Sequence, residues 1–129
     1  MTDPVHIPDG SPDLQHWDDD RHGSVTYRIL VDADGGPSRG LVQGIAYLEP
    51  GDRENMHTHD IPETIHVLEG SGEARLQGNS LPLAPGDTLF VPAGAPHAWS
   101  AAEAEGLTLL FTFPTDRFAE VAYHFDAAA

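Results

Sequence analysis

Three histidines and one glutamate are the residues of this sequence whose types and spacing could do chemistry together. His57 and His59 flank Thr58, Glu63 follows four residues on, and His97 stands well downstream. Side chains alternate faces on an extended chain, so His57 and His59 point the same way, one pleat apart. Asp60-Ile61-Pro62 reads as a turn that returns Glu63 on the next strand, with its carboxylate on that same face. Imidazole nitrogens with one carboxylate make a borderline-hard donor set suited to one divalent transition metal: Fe, Mn, Ni, Co or Zn. On an octahedral ion such a set leaves open positions for water or substrate. Few other reactive groups are available. Cysteine is absent and all six basic residues are Arg, which removes thiolate and lysine-amine chemistry.

The elements that must position these residues read as short strands. Val25–Val31 and Leu41–Glu49 are apolar and β-prone, separated by a Gly/Pro turn at Asp32–Arg39. Thr64–Leu68, Glu73–Gln77, Thr88–Val91, His97–Ser100 and Leu107–Phe113 follow, divided by Gly- and Pro-containing turns. Many short strands with regular turn signals predict a closed barrel or sandwich. Before them lies a polar arm, residues 1–22, in which Ser11-Pro12-Asp13 reads as the start of a short helix through Trp17. The barrel is expected over residues 23–126, with one helical turn between Asp116 and Tyr123. Beyond the tract Ala127–Ala129 there is no low-complexity segment, and there is no internal repeat.

At 129 residues the chain has room for one domain with a real core. A formal charge of −15 argues against nucleic acid and against anionic membrane surfaces. No apolar run approaches membrane-spanning length. The first residues carry Asp and Pro where a signal peptide needs a basic and then an apolar stretch. A cytoplasmic protein with a small-molecule substrate is the resulting expectation.

The segment Gly51 to Gly70 matches the first motif of the cupin family, G-x5-H-x-H-x3-E-x6-G, at every fixed position. Gly86 to His97 matches the second, G-x5-P-x-G-x2-H; the Asn that trails it in the family is Ala101 here. The resemblance implies an all-β, RmlC-like jelly-roll barrel, His57, His59, Glu63 and His97 as ligands of one metal ion, and a homodimer. His6, His16 and His22 read as solvated groups of the arm. His66 falls on the opposite face from Glu63, and His124 lies near the end.

A narrower resemblance runs over roughly residues 25 to 123. Tyr27-Arg-Ile-Leu-Val-Asp-Ala-Asp34, Gly40-Leu41 with Gly44, and Phe113-Pro-Thr-Asp-Arg-Phe-Ala-Glu-Val-Ala-Tyr123 are similar to the small cupin lyases that cleave dimethylsulfoniopropionate. In that family the metal holds the substrate carboxylate and a tyrosinate removes the α-proton, giving dimethyl sulfide and acrylate. The family's base tyrosine lies two residues after the Glu ligand, and that position is Ile65 here. Isoleucine accepts no proton. Tyr123 matches a tyrosine lining the family's pocket and is the substitute candidate for catalysis. Tyr27, Ile65 and Trp99 are the candidate substrate-binding residues, with Tyr47 a weaker one. Ile65 also leaves open an Fe- or Ni-dependent dioxygenase, a sugar or keto-acid isomerase, or a binding module with a structural metal.

Overall fold

The computed structural model describes residues 3–34 and 38–125. Gly35 to Pro37 of the expected turn and the tract Ala127–Ala129 lie outside them. The described residues form ten strands: β1 (Gln15–Asp19), β2 (Gly23–Val31), β3 (Val42–Leu48), β4 (Arg53–His57), β5 (Glu63–Gly70), β6 (Gly72–Leu76), β7 (Asn79–Leu83), β8 (Thr88–Val91), β9 (His97–Ala101) and β10 (Leu107–Phe113). A single 3₁₀ turn at Phe118–Glu120 follows. The strands form one antiparallel, strongly curled sheet in the order β7-β6-β9-β4-β2-β3-β10-β5-β8, with β1 paired to β2.

Period-two patterning builds the interior. In β10, Leu107, Leu109, Phe111 and Phe113 are buried while the residues between them are not. Val42, Ala46 and Leu48 of β3 and Ile65 and Val67 of β5 face the same core. Each fully buried aliphatic of this kind contributes about 1.5–3 kcal/mol. Tyr47 alternates outward, opposite Thr26 and Thr108, so it neither fills the core nor reaches the cavity described below. Gly44 makes a close approach possible, since a Cβ there would overlap the Phe111 ring.

The expected helix through Trp17 is not formed. Residues 15–19 are instead a strand, with His16 opposite Thr26 and Trp17 opposite Val25. The physical reason is tertiary. A helix this short is marginal in water, whereas strand geometry covers the β2 backbone and turns Trp17 onto Tyr27 and Tyr123, with ring centroids 4.8 and 5.2 Å away. Asp19 then turns the chain, its Oδ1 accepting from the backbone N–H groups of Arg21 and His22. No helix among the described residues is long and apolar enough to cross a membrane.

Candidate metal centre

β4 and β9 are neighbours in the sheet, and their register sets His57 directly opposite His97. Both side chains are fully buried. His59 lies just past the end of β4, where Thr58 exchanges two backbone hydrogen bonds with His124 (2.9 and 3.0 Å). The His59 carbonyl accepts from the Gly94 N–H at 2.8 Å, which ties the second motif to the first. Gly94 has φ +82°, a conformation that disfavours any residue with a Cβ, and this accounts for the glycine in that motif. Glu63 opens β5, paired with Val91.

The result is a cluster with one ligand atom from each of three buried histidines, all within 4.8 Å of one another. Glu63 Oε1 lies 3.3 Å from Nε2 of both His59 and His97. The opposite ring nitrogens are already committed. Nδ1 of His57 bonds the Asn55 carbonyl at 2.6 Å, Nδ1 of His59 the Ala122 carbonyl at 2.8 Å, and Nδ1 of His97 the Ala95 carbonyl at 2.9 Å. A carbonyl only accepts, so each Nδ1 carries the proton and each neutral ring turns the Nε2 lone pair inward. Nε2 of His57, His59 and His97 and Oε1 of Glu63 are buried without hydrogen-bond partners. Buried polar atoms rarely go unpaired, because each costs about 1–3 kcal/mol. Four acceptors facing one another fit a cation, and these three imidazoles could hold a metal ion.

The electrostatics agree with a neutral His57 ring and an ionised Glu63. Burial lowers the His57 imidazole to about 3, with the neighbouring His97 adding to the effect. Burial alone would raise the Glu63 carboxyl, but the His59 and His97 imidazoles beside it outweigh this and hold it below the ordinary carboxylate value. Both groups are thus in the forms that ligate metals.

A second buried carboxylate lies at the site, and the sequence pattern does not find it. Alternation from His57 would turn Glu54 outward. A β-bulge between Glu54 and His57 shifts the register and brings both to the inner face. Glu54 Oε2 lies 3.3 Å from His57 Nε2. Burial, and then the nearby charge of Glu63, push its carboxyl up to about 8, and a hydrogen bond from Trp99 works against them.

The candidate substrate-binding residues come together. Tyr27, Ile65, Trp99 and Tyr123 line one interior cavity with Glu54 and Glu63. The free space there is about 20 Å³, room for about one water. Trp99 packs beside His97 (5.3 Å between centroids), and Tyr123 lies on His57 and His59 (4.9 and 4.5 Å). Burial, together with the charges of Glu54 and Glu63, raises the Tyr123 hydroxyl well above its ordinary value. Trp17 and Phe118, which sequence reasoning missed, complete the cavity wall. Of the remaining histidines, His66 faces away and bonds Thr88, and His124 pairs with Asp60 at the surface. His22 departs from the solvated reading: it is half-buried against Trp17, 4.3 Å between centroids.

A curled antiparallel sheet with a buried cluster of histidines that could hold a metal ion defines a β-barrel of the cupin kind. Residues 44–113 match the Cupin domain family, and the chain belongs to it. It is 33% identical to a dimethylsulfoniopropionate lyase, DddW, of Ruegeria pomeroyi over 111 residues, covering 86% of this chain and 72% of that one. It is 32% identical to a 5-nitrosalicylic acid 1,2-dioxygenase of a Bradyrhizobium species over 66 residues, covering 51% of this chain and 32% of that one. Among solved structures it resembles the polyketide cyclase RemF of Streptomyces resistomycificus, with TM-score 0.77, 26% identity, and coverage of 95% of this chain and 85% of that one. Proteins similar to this chain thus include both a lyase and a dioxygenase.

Proposed function

We propose that the protein is a mononuclear transition-metal enzyme that cleaves a small carboxylate-bearing molecule by β-elimination, of the type that converts dimethylsulfoniopropionate to dimethyl sulfide and acrylate. One observation carries the metal assignment: the buried, partnerless lone pairs of His57, His59, Glu63 and His97 face one another. When bound, a divalent ion supplies a Lewis acid that takes the substrate carboxylate and acidifies the adjacent C–H. The 33% identity to a lyase over 86% of the chain supports the reaction class.

The chain's own residues perform the remaining steps. Trp17, Tyr27, Trp99 and Phe118 form an aromatic wall that suits a substrate cation through its π faces. Ile65 contributes an aliphatic surface that excludes water. With a divalent ion held beside the ring, the Tyr123 phenolate is favoured, its hydroxyl proton passing to solvent. The phenolate oxygen then receives the α-proton, and the C–H electron pair forms the new double bond as the β-carbon–sulfur bond breaks and the sulfide departs. Because the free space is about 20 Å³, admission of a substrate requires this aromatic wall to open.

Ile65 also supports a second reading, an Fe- or Ni-dependent dioxygenase, since an apolar residue stands where the lyase family has its base. An anaerobic assay with defined metals separates the two. Acrylate and dimethyl sulfide formed without O₂ support the elimination; strict O₂ dependence of turnover removes it.

A further inference from the structure

We propose that Glu54 is a fifth protein ligand of the metal centre, so that the ion is held by three imidazoles and two carboxylates and keeps one open position. The inference rests on the metal reading above and deepens it. Glu54 Oε2 stands 3.3 Å from Nε2 of His57, the same distance that Glu63 Oε1 keeps from Nε2 of His59 and of His97. The two glutamates thus flank the histidine cluster, one from β4 and one from β5.

Placement and charge argue together. Glu54 reaches the interior only because a β-bulge reverses its strand face, and such bulges re-aim side chains beside active sites. The carboxylate is buried, and among the described residues no Lys or Arg forms an ion pair with it. A cation between two buried carboxyls lets both ionise side by side. A divalent ion neutralises both, whereas with Glu63 alone the centre keeps a net positive charge.

The experiment uses the full chain loaded with Mn(II). Water-proton relaxation counts the exchangeable waters on the ion, and chelator competition gives its affinity. One exchangeable water in the wild type supports the assignment, as does a gain of one water in Glu54→Ala with roughly 10–100-fold weaker binding. Two waters in the wild type overturn it, as does an unchanged count in Glu54→Ala with unchanged affinity. The wild-type count decides the matter even where Glu54→Ala fails to fold. Absence of any Mn(II), Co(II) or Zn(II) binding by the wild type overturns the metal reading itself, a result distinct from two waters on a bound ion.

Discussion

The Nδ1–H of His59 donates to the main-chain carbonyl of Ala122 at 2.8 Å, across 63 positions of sequence. A segment beyond the last strand therefore selects the tautomer of a central imidazole. Contacts of this kind typically account for 10–100-fold in metal affinity. Truncation after Val121 removes the carbonyl and leaves the strands, so metal affinity should fall by about that factor while far-UV circular dichroism stays β-rich. Chelator competition measures it, and wild-type affinity in the truncated chain would contradict the coupling.

His57→Ala and His97→Ala each remove an inward-facing lone pair from the pair set opposite one another by β4 and β9. Elemental analysis should show bound metal reduced at least tenfold in each variant, on the order expected when a ligand rather than its support is lost. Wild-type occupancy in either variant would count against the site.

Metal binding should also appear as stability. A ligand that binds only the folded state adds about 2.7 kcal/mol when present at 100 times its Kd. Thermal unfolding of the wild type should shift upward with saturating Mn(II), and His97→Ala should not shift. Equal shifts in both would place the ion elsewhere.

Without metal, stability should decline on both sides of a range near neutral to mildly acidic pH. The folded His57 is lowered to about 3 against an ordinary 6.5, so the unfolded chain binds more protons between those values. That term destabilises the fold as pH falls. The folded Glu54 is raised to about 8 against 4.5, so its contribution is present at low pH and is lost as pH rises through 8. Between about 4.5 and 6.5 the two oppose each other, leaving losses below 4.5 from His57 and from 6.5 to 8 from Glu54. Urea unfolding of the metal-free chain across pH measures this. Glu54→Gln should flatten the alkaline arm, and persistence of that arm would assign it to another group.

Ile65 is 2% exposed and lines the same cavity as Tyr123. Ile65→Tyr should place a hydroxyl where the similar lyases have theirs, raising elimination activity while overpacking costs about 1–3 kcal/mol. Tyr123→Phe should abolish elimination in the wild-type background. Gas chromatography of dimethyl sulfide checks both, and unchanged turnover in Tyr123→Phe would remove it as the base.

The clustering of His57, His59 and His97 and most strands were legible in the sequence because both depend on short-range periodicity and motif spacing. His57 and His59 share a face by alternation, and β10 reads inward at every second residue from Leu107 to Phe113. Glu54 was not legible, because a bulge adds a residue to the strand and inverts the face that alternation assigns. Nor was the strand at Trp17: local signals at Ser11-Pro12-Asp13 favour a helix start, and pairing with β2 overrides them. The sequence by itself thus determined the histidine cluster and the barrel that carries it. Only the tertiary structure decided that each ring keeps its proton on Nδ1, donated to the carbonyl of Asn55, Ala122 or Ala95, and that a second buried carboxyl lies beside them. Those outcomes depend on contacts between distant segments, and hydrophobic periodicity carries no information about which distant backbone a side chain will meet.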